Sequence, residues 1–139
     1  MDDRQAGLIR ESWERLEANG EHLATAFYDR LFQLDPRIRD LFAATEMESQ
    51  PAKFLAMLGE VVRLIDDPRA FDTALAGSGR RHAGYGVVPR HYRTVGEALL
   101  WSLDHALPGG LDDETREAWA EAYTRMAFAM QVNPRASGG

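Results

Sequence analysis

Gly79-Arg80-Arg81-His82-Ala83-Gly84-Tyr85-Gly86-Val87-Val88-Pro89-Arg90-His91-Tyr92-Arg93-Thr94-Val95-Gly96-Glu97-Ala98-Leu99-Leu100 is the stretch on which the fold turns. It reads as the end of one helix, a bend and the start of another. Upstream, Asp66-Asp67-Pro68 is a cap followed by proline at the first helical position, where a missing N–H costs nothing. The helix opened there carries Phe71, Ala74, Leu75 and His82 before Gly84 and Gly86 stop it. Pro89 opens the next, whose apolar face is Tyr92, Val95, Leu99 and Leu103.

The same devices continue in both directions. Towards the N-terminus, Leu8, Ile9, Trp13 and Leu16 recur at helical spacing until Asn19-Gly20 interrupts them, and a second helix carries Leu23, Phe27, Tyr28, Leu31 and Phe32. Asp35-Pro36 starts a short third helix that ends near Phe42. After the unpatterned stretch from Ala43 to Ser49, Pro51 requires the following helix to begin only at Glu48 to Gln50 and to run through Phe54, Leu58, Val62 and Ile65. Towards the C-terminus, Pro108-Gly109-Gly110 is a turn, and Asp112 or Asp113 caps a last helix with Trp119, Ala122, Tyr123, Met126 and Met130 on one face. No strand emerges. The pattern predicts an all-α domain of about seven helices over residues 1–132, with proline-marked breaks that suit oblique packing, and a disordered tail over 133–139.

Composition narrows the function classes. At 139 residues with 45% hydrophobic and 27% charged content, one core is expected. Cysteine is absent, which removes disulfides, thiolate metal sites and cysteine nucleophiles, so any metal must be held by His, carboxylate, Tyr or Met. A net charge of -6 leaves no basic footprint for nucleic acid. With no long apolar run and an acidic Met1-Asp2-Asp3 start, the reading is a cytoplasmic protein that does not enter a membrane.

His82 lies seven positions after Leu75, nearly two helical turns, and so projects from the face that carries Leu75 and Phe71. Such an imidazole either finds ordinary hydrogen bonds in a core or ligates a metal, and spacing alone favours the plainer account. His22, His91 and His105 have charged or polar neighbours and read as solvated or partly covered, with no assigned role.

The quoted stretch resembles the proximal histidine, bend and following helix of the globins, above all the flavohaemoglobin and single-domain bacterial haemoglobin branch. Phe27-Tyr28-Asp29-Arg30-Leu31-Phe32 resembles the second-helix motif of that branch, Leu41-Phe42 its haem-stacking corner, Gln50-Pro51-Ala52-Lys53-Phe54 its distal helix, and Ala118-Trp119-Ala120-Glu121-Ala122-Tyr123 its last helix. Phe54 precedes His82 by 28 positions, the separation the resemblance requires.

The resemblance implies a globin fold, a helical sandwich around a pocket for haem b, with His82 as the iron ligand. Phe42 would stack on the ring and Phe54 would wall the distal side, while Phe32, Leu58, Val95 and Leu99 would complete an apolar lining. Tyr28 and Gln50 would face the bound gas. Dioxygen gathers negative charge at its outer atom, so a hydroxyl and an amide N–H in a dry pocket would hold it more firmly than carbon monoxide. Lys53, the single lysine, and Arg81 would pair the haem propionates. In that branch a tyrosine, matched here by Tyr92, joins a glutamate of the last helix to bond the proximal histidine. Here Pro134 falls where the glutamate is expected, so that relay reads as incomplete and peroxidase-like chemistry is disfavoured. No glycine-rich dinucleotide loop occurs before Gly139, so redox turnover would need a separate reductase. The implied functions are oxidation of nitric oxide by bound dioxygen, or dioxygen storage and delivery without turnover, in a monomer or homodimer.

Overall fold

A computed structural model of the chain describes residues 2–42, 47–84 and 87–132. The bend at Tyr85-Gly86, part of the stretch before Ser49 and the tail 133–139 lie outside the described residues.

Six α-helices and one 3-10 helix are formed among the described residues, and η1, α3, α4, α5 and α6 start where the sequence places a cap or a proline. Helix α1 (Asp3–Glu17) begins under Asp2, whose carboxylate accepts from Gln5 N at 2.8 Å. Helix α2 (Gly20–Leu34) gives way at Asp35, whose side chain accepts from Arg37 N at 3.0 Å and opens the 3-10 helix η1 (Pro36–Phe42). Helix α3 (Gln50–Arg63) has Pro51 in its first turn and stops two residues earlier than the pattern through Ile65 suggested. Helix α4 (Pro68–Gly84) is capped by Asp67, which accepts from Ala70 N at 3.2 Å. Helix α5 (Pro89–Ala106) leads to a turn in which Gly109 and Gly110 both have positive φ, 82° and 75°, a conformation that favours glycine. Of the two aspartates proposed to cap helix α6 (Asp113–Val132), Asp112 does so, accepting from Thr115 N at 2.8 Å.

The core is where these helices cross. Trp119 of α6 is fully buried against Trp13 of α1, and its indole N–H donates to Ser12 Oγ at 2.8 Å. That bond closes the polar account of a residue whose burial dominates the α1–α6 contact. Helix α2 crosses α5, and α4 crosses α6. Helix α3 leans on α2 and α1 instead, and among the described residues α3 and α4 do not pack closely on one another. The helix bearing Gln50 and the helix bearing His82 are thus set on different supports. No helix among the described residues is long and apolar enough to cross a membrane.

Candidate functional site

Tyr28 is buried in the middle of α2 within an aromatic cluster. Phe27, Phe42 and Phe54 present their rings to it edge-on at centroid distances of 5.0, 5.9 and 5.8 Å. Phe32 lies at 6.2 Å. Phe27 also stacks on Phe54 at 4.3 Å with an interplanar angle of 14°. This stack docks one face of α3 on α2, and Gln50, four residues before Phe54, shares that face. As a result Gln50 Nε2 comes to 3.3 Å from Tyr28 Oη and donates to it. Gln50 is half-buried and turned inward.

The direction of this bond matters chemically. Tyr28 Oη is the acceptor, so its own proton is left to be donated elsewhere. Burial pushes the phenol pKa above its ordinary value, only partly offset by the Gln50 amide, and the hydroxyl stays a neutral donor.

His82 is half-buried near the end of α4. Its Nδ1 lies 2.7 Å from the backbone carbonyl oxygen of Ser78 and 3.3 Å from Ser78 Oγ. A carbonyl oxygen can only accept, so Nδ1 carries the proton, and in the neutral ring the lone pair falls on Nε2. Ser78 was not singled out in the sequence, although its i−4 spacing is the one signal that could have found it. Among the described residues no bond from Tyr92 reaches His82. The Tyr92 ring is half-buried and its backbone carbonyl accepts the hydroxyl of Tyr123. Val95 is half-buried on the same helix, one turn from Leu99 in the core.

Lys53 and Arg81 are exposed and form no ion pair among the described residues. The guanidinium of Arg81 points back along α4, 3.7 Å from where a Cβ on Gly77 would stand, as helical side chains do. His22 and His105 are exposed as expected, the latter stacked on Trp101 at 3.8 Å. His91 corrects the sequence reading, because it is buried. Its ring folds back on the start of α5, where Nδ1 accepts from Val88 N at 3.0 Å while His91 N donates to Val88 O at 2.9 Å. Its place in the helix's first turn decided this, not its charged neighbours. Burial, then Arg90, lower its pKa; Asp35 pulls the other way, and Arg37 adds a smaller push down.

Residues 25–130 match the globin family. The chain belongs to that family. This globin is 31% identical to the neuroglobin of Danio rerio and 28% identical to neuroglobin-2 of Oncorhynchus mykiss, in each case over 94% of its length and 90% of the relative's. Among solved structures, a bacterial globin from Campylobacter jejuni superposes with a TM-score of 0.82 at 25% identity, covering 99% of this chain and all of that one. A carbene transferase engineered from a candidate nitric oxide dioxygenase of Rhodothermus marinus superposes with a TM-score of 0.84 at 27% identity, covering 99% and 96%.

Globins hold haem through a proximal histidine, and the residues present fit that group. Nε2 of His82 offers a lone pair. Phe32, Phe42, Phe54 and Val95 are large apolar side chains that protein alone leaves half covered, as a flat apolar ligand would require. The helices that carry His82 and Gln50 stand apart instead of closing on each other.

Proposed function

We propose that this globin binds haem b through His82 and uses Tyr28 and Gln50 to retain dioxygen, which it turns against nitric oxide with electrons from a separate reductase. When bound, the haem supplies a ferrous iron able to take up a diatomic gas. The chain's own residues supply the rest. Ser78 fixes the imidazole tautomer and its orientation, and a hydrogen bond to Nδ1–H makes Nε2 a stronger electron donor. Phe42 and Phe54 exclude water, which strengthens every polar contact inside. Gln50 donates to Tyr28, and the Tyr28 proton is then available to whichever ligand atom carries negative charge. Lys53 and Arg81, both exposed, would pair the propionates as flexible cations.

The observation that carries this reading is the Tyr28–Gln50 bond, whose donor and acceptor leave a neutral phenolic proton unspent in an aromatic pocket. Dioxygen gains from such a donor and carbon monoxide gains little. Nitric oxide, dioxygen and one electron combine to nitrate, so the reaction consumes an external electron at each cycle. The test is turnover. Oxygenated protein supplied with nitric oxide and a reductant should produce nitrate well beyond one equivalent. Production that stops at one equivalent would leave dioxygen storage or scavenging as the function, because the same donor pair slows release.

A further inference from the structure

Helix α4 meets α6 through bare backbone at one point. A Cβ built on Gly79 would stand 2.0 Å from the carbonyl oxygen of Met130 and 2.7 Å from both its carbonyl carbon and its Cα. All three nearest atoms are backbone, so rotamer changes cannot relieve the conflict. Even alanine would force the two helices apart. Gly77, two residues earlier, is different, since a Cβ there would meet only the ends of the Arg80 and Arg81 guanidinium groups at 3.7 Å. The seat is therefore local to the turn that runs from Ser78 to His82.

Gly79 lies between Ser78, whose carbonyl orients the imidazole, and His82 itself, and at i,i+3 it occupies nearly the same face as His82. Displacement at residue 79 thus moves the carbonyl and the ring together. The geometry points to Gly79 as a positioning residue for the proximal ligand: its contact with the Met130 carbonyl sets where the His82 imidazole stands relative to the pocket. The inference rests on His82 being the haem ligand. Chemically, the residue acts through another and touches neither haem nor gas.

The experiment compares Gly79→Ala with Gly77→Ala in the haem-loaded ferrous protein. Two readouts are used, the iron–imidazole stretching band in resonance Raman spectra and the rate of haem transfer to an excess of a haem-free acceptor globin. Gly79→Ala should shift the band by several wavenumbers and speed haem loss about 10–100-fold, the range seen when groups that orient a metal ligand are disturbed. Gly77→Ala, the same chemical change on the same helix, should leave the band in place. An unmoved band in Gly79→Ala, or an equal shift in both variants, overturns the assignment. If Gly79→Ala does not fold, Met130→Gly loosens the last turn of α6 without inserting an atom. It should broaden the same band, and an unbroadened one overturns the proposal. Failure of the wild-type chain to take up haem at all would instead sink the functional reading on which this one rests.

Discussion

His82 and Tyr28 are held in opposite ways. The imidazole and the carbonyl that orients it belong to one helix, four residues apart, joined at 2.7 Å. Tyr28 and Gln50 belong to separate helices, 22 residues apart in sequence, and are joined at 3.3 Å through the stacking of Phe27 on Phe54. Once α4 forms, the His82 tautomer is settled by helical spacing. The distal pair exists only after α2, η1 and α3 have assembled. One side of the pocket is thus fixed by local geometry, and the other can be retuned by any change in how α3 sits on α2.

Removing the fixed side should have the largest effect. His82→Ala is expected to abolish the strong haem absorption near the blue edge of the visible, and haem affinity should fall by well over about tenfold. His82→Gly should regain the band when free imidazole is added, because the rest of the pocket stays in place. A variant that keeps an unchanged spectrum without imidazole would place the iron elsewhere and break the comparison at its stiffer end.

Tyr28→Phe tests the adjustable side directly. A hydrogen bond to a group that gathers charge is worth about 1.5–3 kcal/mol, so dioxygen release, followed by rapid-mixing spectroscopy, should quicken by about 10–100-fold. Carbon monoxide release should change far less. Equal changes for both gases would mean that Tyr28 acts by bulk and not by its proton. Gln50→Leu comes next in size. Its amide reaches Tyr28 by one long bond, and loss of one ordinary hydrogen bond, about 0.5–1.5 kcal/mol, should give about 2–10-fold faster release. If Gln50→Leu exceeds Tyr28→Phe, the order of donors is reversed.

The same contrast explains what the sequence could and could not disclose. Helix starts at Asp35-Pro36, Asp67-Pro68 and Val88-Pro89 were legible because capping and proline placement act within one turn. The placement of Phe71 and Leu75 in the core followed from period alone, as did the burial of Trp119 and Met126. Gln50 was legible only as a residue type at a resembling position. Its inward turn depends on Phe54 meeting Phe27, a distance across two helices that no local pattern encodes. The Gly79 seat was invisible for the same reason, since its partner is a carbonyl 51 residues away. His91 was misread because charged neighbours in sequence say little about a ring that folds back onto its own helix start.

That misreading leads to the smallest effect, at the junction of α4 and α5, where Val87 N donates to His82 O at 3.1 Å. His91 accepts from Val88 N with Nδ1, which only the neutral ring can do. Burial, Arg90 and Arg37 hold its folded pKa below the ordinary 6.5. Below pH 6.5 the unfolded chain therefore binds a proton that the folded chain resists, and stability falls as the pH drops towards the folded value. His91→Gln keeps an acceptor at the third helical position but cannot titrate, so its thermal midpoint should flatten across that window relative to the native chain. His91→Ala should lose about 1 kcal/mol at pH 8, the usual cost of a helix cap. If the pH dependence survives in His91→Gln, the titrating group lies elsewhere, and the junction beside His82 owes its hold to backbone bonds alone.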